Sequence, residues 1–318
     1  MNQETSGKRK GSLLERAADI YDFGAALRGR AAPALDVPAD LGDPLPPAAP
    51  AIAAPVGDAA PAAAPQTRAP DWTGRPHAID RDTLAEAGYI RPDGQATALS
   101  EEFRLLKRDL LLQLRDHPLG NRILLCSAHS GEGKTFCAIN LALSLAAEQD
   151  REILLVDADF GKPGIPQALG IASGDAPWPG FMDALANPSI AVEDIVLRTD
   201  IPSLSILPAG ARSNNDTEYL ASARTETLLR RLTEGRPERI ILFDSPPLLA
   251  ASPAAVLASH VAIALLIVRA DKTTESALRD AAGMLKGGAQ VQMLLNGVTY
   301  SSSGRRFGTY YSKGDTQS

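Results

Sequence analysis

Residues Arg122 to Ala147, RILLCSAHSGEGKTFCAINLALSLAA, restrict the fold more than any other stretch of this chain. An apolar run, Ile123–Cys126, ends in a loop of small residues carrying Gly131, Gly133, Lys134 and Thr135. Apolar residues at helical spacing follow directly: Ile139, Leu143 and Ala146, with Leu141 and Leu145 alongside. The loop has the form x-x-x-x-x-G-K-T, with Ala128 where a glycine more often stands. Its backbone N–H groups must converge on one anion, which needs glycine-permitted dihedrals and no side chains in the way. A helix starting at Lys134 adds unpaired N-terminal amides and the positive end of its dipole. The stretch therefore predicts a strand–loop–helix that cradles the phosphates of a nucleoside triphosphate. Ser130, Gly131, Glu132, Gly133, Lys134, Thr135 and Phe136 are its candidate nucleotide-binding residues. Lys134 reaches the outer phosphates, and the Thr135 hydroxyl holds a magnesium ion.

Two further strands end in acid. Ile153–Val156 delivers Asp157 and Asp159, and Ile240–Phe243 delivers Asp244. Ligands bind at the C-terminal strand ends of parallel α/β sheets, so these carboxylates should face the phosphates. Beside a phosphate loop, the pair at 157 and 159 suggests magnesium handling and activation of an attacking hydroxyl. Asp244, after four apolar residues, should orient a magnesium-bound water. Asp159, Asp244 and Thr135 are the candidate metal residues; Lys134, Asp157 and Asp159 are the candidate catalytic ones. Asn296 ends the last strand, Gln290–Asn296, where it is placed either to touch the base or ribose or to make a turn.

The remaining pattern completes an α/β chain. Leu204–Leu207 and Val261–Val268 read as strands, the second of them central. Helices are expected at Asp80–Ala87, at Glu101–Leu114 behind a Ser100 cap, and at Phe181–Ala186. Others should run from an Asp216 cap to about Thr233, after Ser252, and over Thr274–Lys286. Strands that read as near-continuous apolar runs and alternate with helices predict a mostly parallel sheet covered on both faces, a P-loop NTPase. In Glu101–Leu114, Phe103, Leu106, Leu110 and Leu114 form the apolar face. Glu101, Arg104, Lys107 and Arg108 lie on the other face, which pattern alone reads as solvated.

The N-terminal quarter is different. Ser12 to Arg28 has one weakly apolar helical face, too isolated to be stable alone. From Ala31 to Gln66, 23 of 36 residues are alanine or proline, which marks an unfolded linker. The expected organisation is 1–30, a polar segment with a short helix; 31–75, the linker; 76–298, the nucleotide domain; and 299–318, a flexible tail. A formal net charge of −6 argues against nucleic acid as an electrostatic partner. Cys126 and Cys137 flank the loop as small buried hydrophobes of a reducing compartment. With no long apolar run and no signal-peptide core, the expected location is cytoplasmic.

HSGEGKT, ILLVDADFGKPG and IILFDSPPL, in that order, resemble the Walker A, A′ and B motifs of bacterial tyrosine kinases of exopolysaccharide and capsule systems. EEFRLLKR resembles that family's E-x-x-R-x-x-R oligomerisation motif, here Glu101, Arg104 and Lys107. SLLERAADIYDF, the Pro/Ala linker and HAIDRDTLAEAGYIRPD resemble the exosortase-associated tyrosine autokinase branch. Resemblance is strong over residues 76–298. Departures are Ala128 for the first Walker A glycine, Lys107 for an arginine, Gly161-Lys162 for a basic pair, and a sparse tyrosine tail.

The resemblance implies transfer of the ATP γ-phosphoryl group, with Mg2+, to Tyr310, Tyr311 or Tyr300 of a neighbouring subunit in a ring. It also implies a membrane-embedded polysaccharide co-polymerase as partner, peripheral inner-membrane placement through it, and a tyrosine phosphatase. Two other readings use the same loop: a ParA/MinD-type ATPase and a non-enzymatic ATP-binding regulator of polymer export. ParA/MinD proteins carry an extra lysine early in Walker A, and Ala128-His129-Ser130-Gly131 has none.

Overall fold

The computed structural model describes residue 69 and residues 71–298 apart from 116, 175 and 286. The N-terminal segment, most of the linker and the tail with Tyr300, Tyr310 and Tyr311 lie outside the described residues.

Eight strands form one sheet in the order β1-β4-β5-β3-β6-β2-β7-β8. They are β1 (Pro76–His77), β2 (Arg122–Ser127), β3 (Glu152–Asp157), β4 (Leu197–Thr199), β5 (Leu204–Leu207), β6 (Arg239–Asp244), β7 (Ile263–Arg269) and β8 (Gln290–Asn296). From β5 to β8 every pairing is parallel; β4 runs antiparallel to β5 and carries β1. The six expected strands all form. The two short edge strands, β1 and β4, have no long apolar run and left no periodicity to read. β7 begins at Ile263 and lies second from the edge, so it is not the central strand that its apolarity suggested.

β2, β3 and β6 are buried on both faces, as helix-covered parallel strands must be. Leu124, Leu154 and Ile241 point into one apolar layer; Ile123, Leu155 and Leu242 point into the other. Each such side chain contributes roughly 1.5–3 kcal/mol.

The helices are α1 (Arg81–Glu86), α2 (Ala98–Leu114), α3 (Lys134–Ala146), α4 (Ile165–Ala168), α5 (Phe181–Ala186), α6 (Val192–Ile195), α7 (Asp216–Ala221), α8 (Ala223–Thr233), α9 (Pro253–Leu257) and α10 (Glu275–Met284). Asp80 caps α1 and Thr274 caps α10. Three expectations change. Thr97, not Ser100, caps α2; Ser100 is the reciprocal partner of a capping box, so the helix starts three residues earlier. The single helix expected up to Thr233 breaks at extended Ser222 into α7 and α8, and Asp216 is the first residue of α7. Ser252 sits at the head of α9 but makes no cap bond; its hydroxyl meets that of Thr217 at 2.8 Å.

The packed residues begin before the expected boundary at 76. Ala69 donates its backbone N–H to Glu234 O (2.6 Å), and its carbonyl accepts from Arg236 Nε (2.8 Å). Arg236 also pairs with Asp71 and Glu152, and the Arg239 guanidinium lies 4.0 Å over the Trp72 ring. This clasp is at the N-terminal strand ends, opposite the acidic ends of β3 and β6.

Candidate active site

The order β3-β6-β2 places three predicted features side by side. Asp157 and Asp244 are register partners across β3 and β6, and Asp244 is the partner of Leu125 on β2. Two residues beyond Leu125, β2 ends and the loop before α3 begins. Gly131 and Gly133 both adopt left-handed dihedrals, with φ 77° and 96°. A Cβ on Gly133 would lie 2.1 Å from Asn296 Nδ2, so glycine is required there twice over. Lys134 opens α3 and is buried. Thr135 donates its hydroxyl proton to Asp244 Oδ2 at 2.6 Å.

The two strand-end aspartates have different surroundings. Asp157 accepts backbone N–H groups from Gly164 (2.8 Å), Ile165 (3.0 Å) and Asp159 (3.3 Å), and so closes the loop leading into α4. Burial outweighs these bonds and raises its carboxyl to about 6. Asp244 is raised further, to about 7, by burial and then by the Asp157 and Asp159 charges; the Thr135 hydroxyl and Lys134 oppose the rise. Its Oδ1 is buried without a hydrogen-bond partner. Asp159 is half-buried, and its Oδ1 accepts from the Lys162 N–H at 3.1 Å.

Three neighbouring carboxylates, one with an orphaned buried oxygen beside a threonine hydroxyl, fit a divalent cation. Among the described residues no three His, Cys, Asp or Glu side chains form an all-protein metal cage. That suits magnesium, which keeps waters and takes ligands from substrate phosphates while using one or two carboxylates.

Other expected residues have structural duties. The Glu132 carboxylate turns inward, away from the loop's open side, and is 3% exposed. Asn296 donates one amide N–H to Glu132 O at 2.9 Å and so braces the loop. The Phe136 ring stacks on Tyr89 at 5.4 Å and belongs to the layer covering α3. Cys126 and Cys137 are buried free thiols, each pushed up to about 12 by burial.

Lys107 corrects the reading of α2. It is buried, donates to Ser144 O at 2.8 Å and pairs with Glu148 at 2.5 Å. Its stem reaches across to α3, so the residue works within the chain, while Glu101 and Arg104 pair with each other near the surface. Lys107→Ala should therefore lower stability by about 2–3 kcal/mol through loss of a charged hydrogen bond and of packing. Arg104→Ala should change it by less than about 0.5 kcal/mol. Thermal unfolding of both variants checks the difference, and equal midpoints would return Lys107 to the surface.

Two cavities flank the acidic ends. One of about 640 Å3 is lined by Asp157, Gly164, Gln167, Trp178, Pro208 and Gly210. The Trp178 indole N–H at its wall is buried without a partner. A second, of about 300 Å3, lies between Phe160, Gly161, Arg212, Asp216 and Pro246. Arg212 follows the Pro208-Ala209-Gly210 turn and places its cation beside Asp216; sequence spacing alone gave no sign of it.

The fold and loop define a P-loop nucleoside triphosphatase class of protein. No family model matches the chain. The kinase domain of VpsO is 31% identical, with a TM-score of 0.53 over 63% of this chain and 96% of that domain. The BceF tyrosine kinase domain is 27% identical, with a TM-score of 0.56 over 72% of this chain and 94% of that domain. EpsB of Ralstonia solanacearum, named for tyrosine-protein kinase activity, is 31% identical over 180 residues, 57% of this chain and 23% of EpsB. The chain belongs to the bacterial tyrosine kinase family. It spans about a quarter of the length of the first relatives it matches.

Proposed function

We propose that this chain transfers the γ-phosphoryl group of ATP to protein tyrosine, in a system that makes or exports polysaccharide. The observation that carries the reading is the Thr135–Asp244 hydrogen bond beside Asp157, which puts the phosphate loop and two strand-end carboxylates in one site. Family membership supports tyrosine as the acceptor.

In this reading the loop amides of residues 130–135 and the Lys134 ammonium hold the β- and γ-phosphates. Thr135, Asp244 and Asp159 would hold magnesium, which supplies charge neutralisation on the phosphates. The acceptor phenol attacks the γ-phosphorus, the bond to the β–γ bridging oxygen breaks, and ADP leaves. Asp157 takes the phenolic proton. Raised to about 6, its carboxyl lies nearer the working pH than an ordinary aspartate, as a general base requires. The 640 Å3 cavity beside Asp157 offers space for the acceptor segment.

The acceptors we favour are Tyr310 and Tyr311, with Tyr300 third, on a neighbouring subunit. Twelve residues from Thr299 to Tyr310 span up to roughly 40 Å when extended, enough to cross an interface. Glu101 and Arg104 on the α2 surface remain candidates for the subunit contact of a ring. A membrane-embedded co-polymerase and a tyrosine phosphatase complete the proposed system. Among the described residues no helix is long and apolar enough to cross a membrane. In this reading the co-polymerase brings the chain to the inner membrane.

Deleting residues 307–318 tests the acceptor assignment. The truncated protein should lose most self-phosphorylation in Mg-ATP yet still label an added tyrosine peptide. Self-labelling equal to the parent's would move the acceptors elsewhere, with Tyr21 the next candidate. Loss of peptide labelling as well would argue against the site.

A further inference from the structure

We infer that Thr273, in the turn after β7, is a positioning residue that holds the phosphate loop in its anion-accepting form through the buried carboxylate of Glu132. This rests on reading the loop as the nucleotide site.

The Glu132 carboxylate has two donors. Oε2 accepts the His129 N–H at 2.8 Å, and Oε1 accepts the Thr273 hydroxyl. A threonine hydroxyl has one proton and two lone pairs. The Arg269 N–H donates to Thr273 Oγ1 at 2.9 Å, which leaves that single proton for Glu132. The turn that returns Thr273 to the loop is closed by Thr273 N–H on Arg269 O at 3.0 Å. It needs a left-handed residue, and Asp271 supplies it at φ 60°, a conformation aspartate tolerates better than most residues. On the other side Asn296 holds the Glu132 carbonyl at 2.9 Å.

Glu132 is thus fixed at both its carboxylate and its carbonyl by the ends of β7 and β8. With the carboxylate tied inward, the loop keeps its amides open to an anion. If the tie is released, a buried carboxylate loses half its donors and the loop must move to hydrate it. The cost falls on the loop and on the Arg269 N–H, which loses its acceptor, while the turn that carries Thr273 keeps its own backbone bond.

Thr273→Val removes the hydroxyl at nearly constant volume, and Thr273→Ser keeps it. Titration of a fluorescent ADP analogue into parent, both variants and Lys134→Met reads the effect, with thermal midpoints measured alongside. The inference predicts that Thr273→Val folds but binds about tenfold more weakly, and that Thr273→Ser matches the parent in both affinity and midpoint. Equal affinity of Thr273→Val and parent, while Lys134→Met loses binding, would overturn the inference and leave the nucleotide site standing. Failure of the parent itself to bind would overturn both. Should Thr273→Val not fold, the Glu132→Gln variant serves. It keeps one acceptor oxygen but loses the charge, and it should weaken ADP binding while Thr273→Ser does not. Unchanged affinity in Glu132→Gln would count against the inference equally.

Discussion

Lys134→Met should lose ATP-dependent labelling by at least about a hundredfold, as removal of a key transition-state cation does, while folding as well as the parent. Lys134 is the first residue of α3, is buried, and has no carboxylate within ion-pair distance among the described residues. Methionine has a similar length and no charge, so it keeps the packing of the buried stem and removes only the cation. The thermal midpoint should therefore be unchanged even as activity vanishes. Circular dichroism and a thermal scan, run with a labelling assay, check this. A variant that labels normally would remove Lys134 from the site, and one that unfolds would make it a core residue.

Asp244→Asn carries the second large effect, with opposite signs on turnover and stability. Its carboxyl is raised to about 7 in the fold, against an ordinary value of 3.8. Between about pH 4 and pH 7 the folded chain therefore holds a proton that the unfolded chain has released. The unfolded state binds fewer protons there, so stability falls as pH rises through that window and levels off above it. Asp157, raised to about 6, adds to the same slope. At about 1.4 kcal/mol per unit, the Asp244 share is roughly 2–4 kcal/mol by pH 8. Asparagine escapes it and still accepts the Thr135 hydroxyl, though its buried amide returns about 1 kcal/mol of cost.

In metal-free buffer the variant's midpoint should rise relative to the parent's by about 5 °C between pH 5 and pH 8. Turnover with Mg-ATP should fall at least about a hundredfold, because a candidate metal carboxylate is gone. Parallel midpoint–pH curves for parent and variant would show that Asp244 is not the group under strain. Magnesium added to the parent at pH 8 should recover part of the lost stability, since a bound cation favours the ionised cluster.

How far the sequence reveals this molecule depends on which forces each element uses. Strands β2, β3, β5, β6 and β7 are apolar runs, and burial on two faces makes such runs legible; β8, largely exposed at the sheet edge, still carries Val291, Met293, Leu294 and Leu295. β1 and β4 are two and three residues long at an edge, held by backbone pairing that any side chains allow. The phosphate loop was legible because glycine at positive φ has few substitutes. Its bracing was not: Thr273 lies 141 residues from Glu132, and nothing local marks their contact. Lys107 misled for a related reason. A helical wheel places a lysine by its charge, but a four-carbon stem can cross to the next helix and bury its ammonium against Ser144 O. The position of Asn296 predicts a touch on the base or ribose or a turn, and its contact with the loop through Glu132 O, 164 residues away, has no local mark.

The central claim is that the site passes its phosphoryl group to tyrosine and not to water. A P-loop with acidic strand ends can do either, because both reactions use the same phosphate and magnesium contacts. Phosphotyrosine by mass spectrometry and free phosphate by colorimetry, measured on one sample of full-length protein during incubation with Mg-ATP, separates them. The account predicts that phosphotyrosine accumulates in the parent, is absent in Lys134→Met, and exceeds released phosphate in the early time course. Steady release of phosphate with no phosphotyrosine in the parent would contradict it and make this chain an ATPase of the ParA/MinD kind.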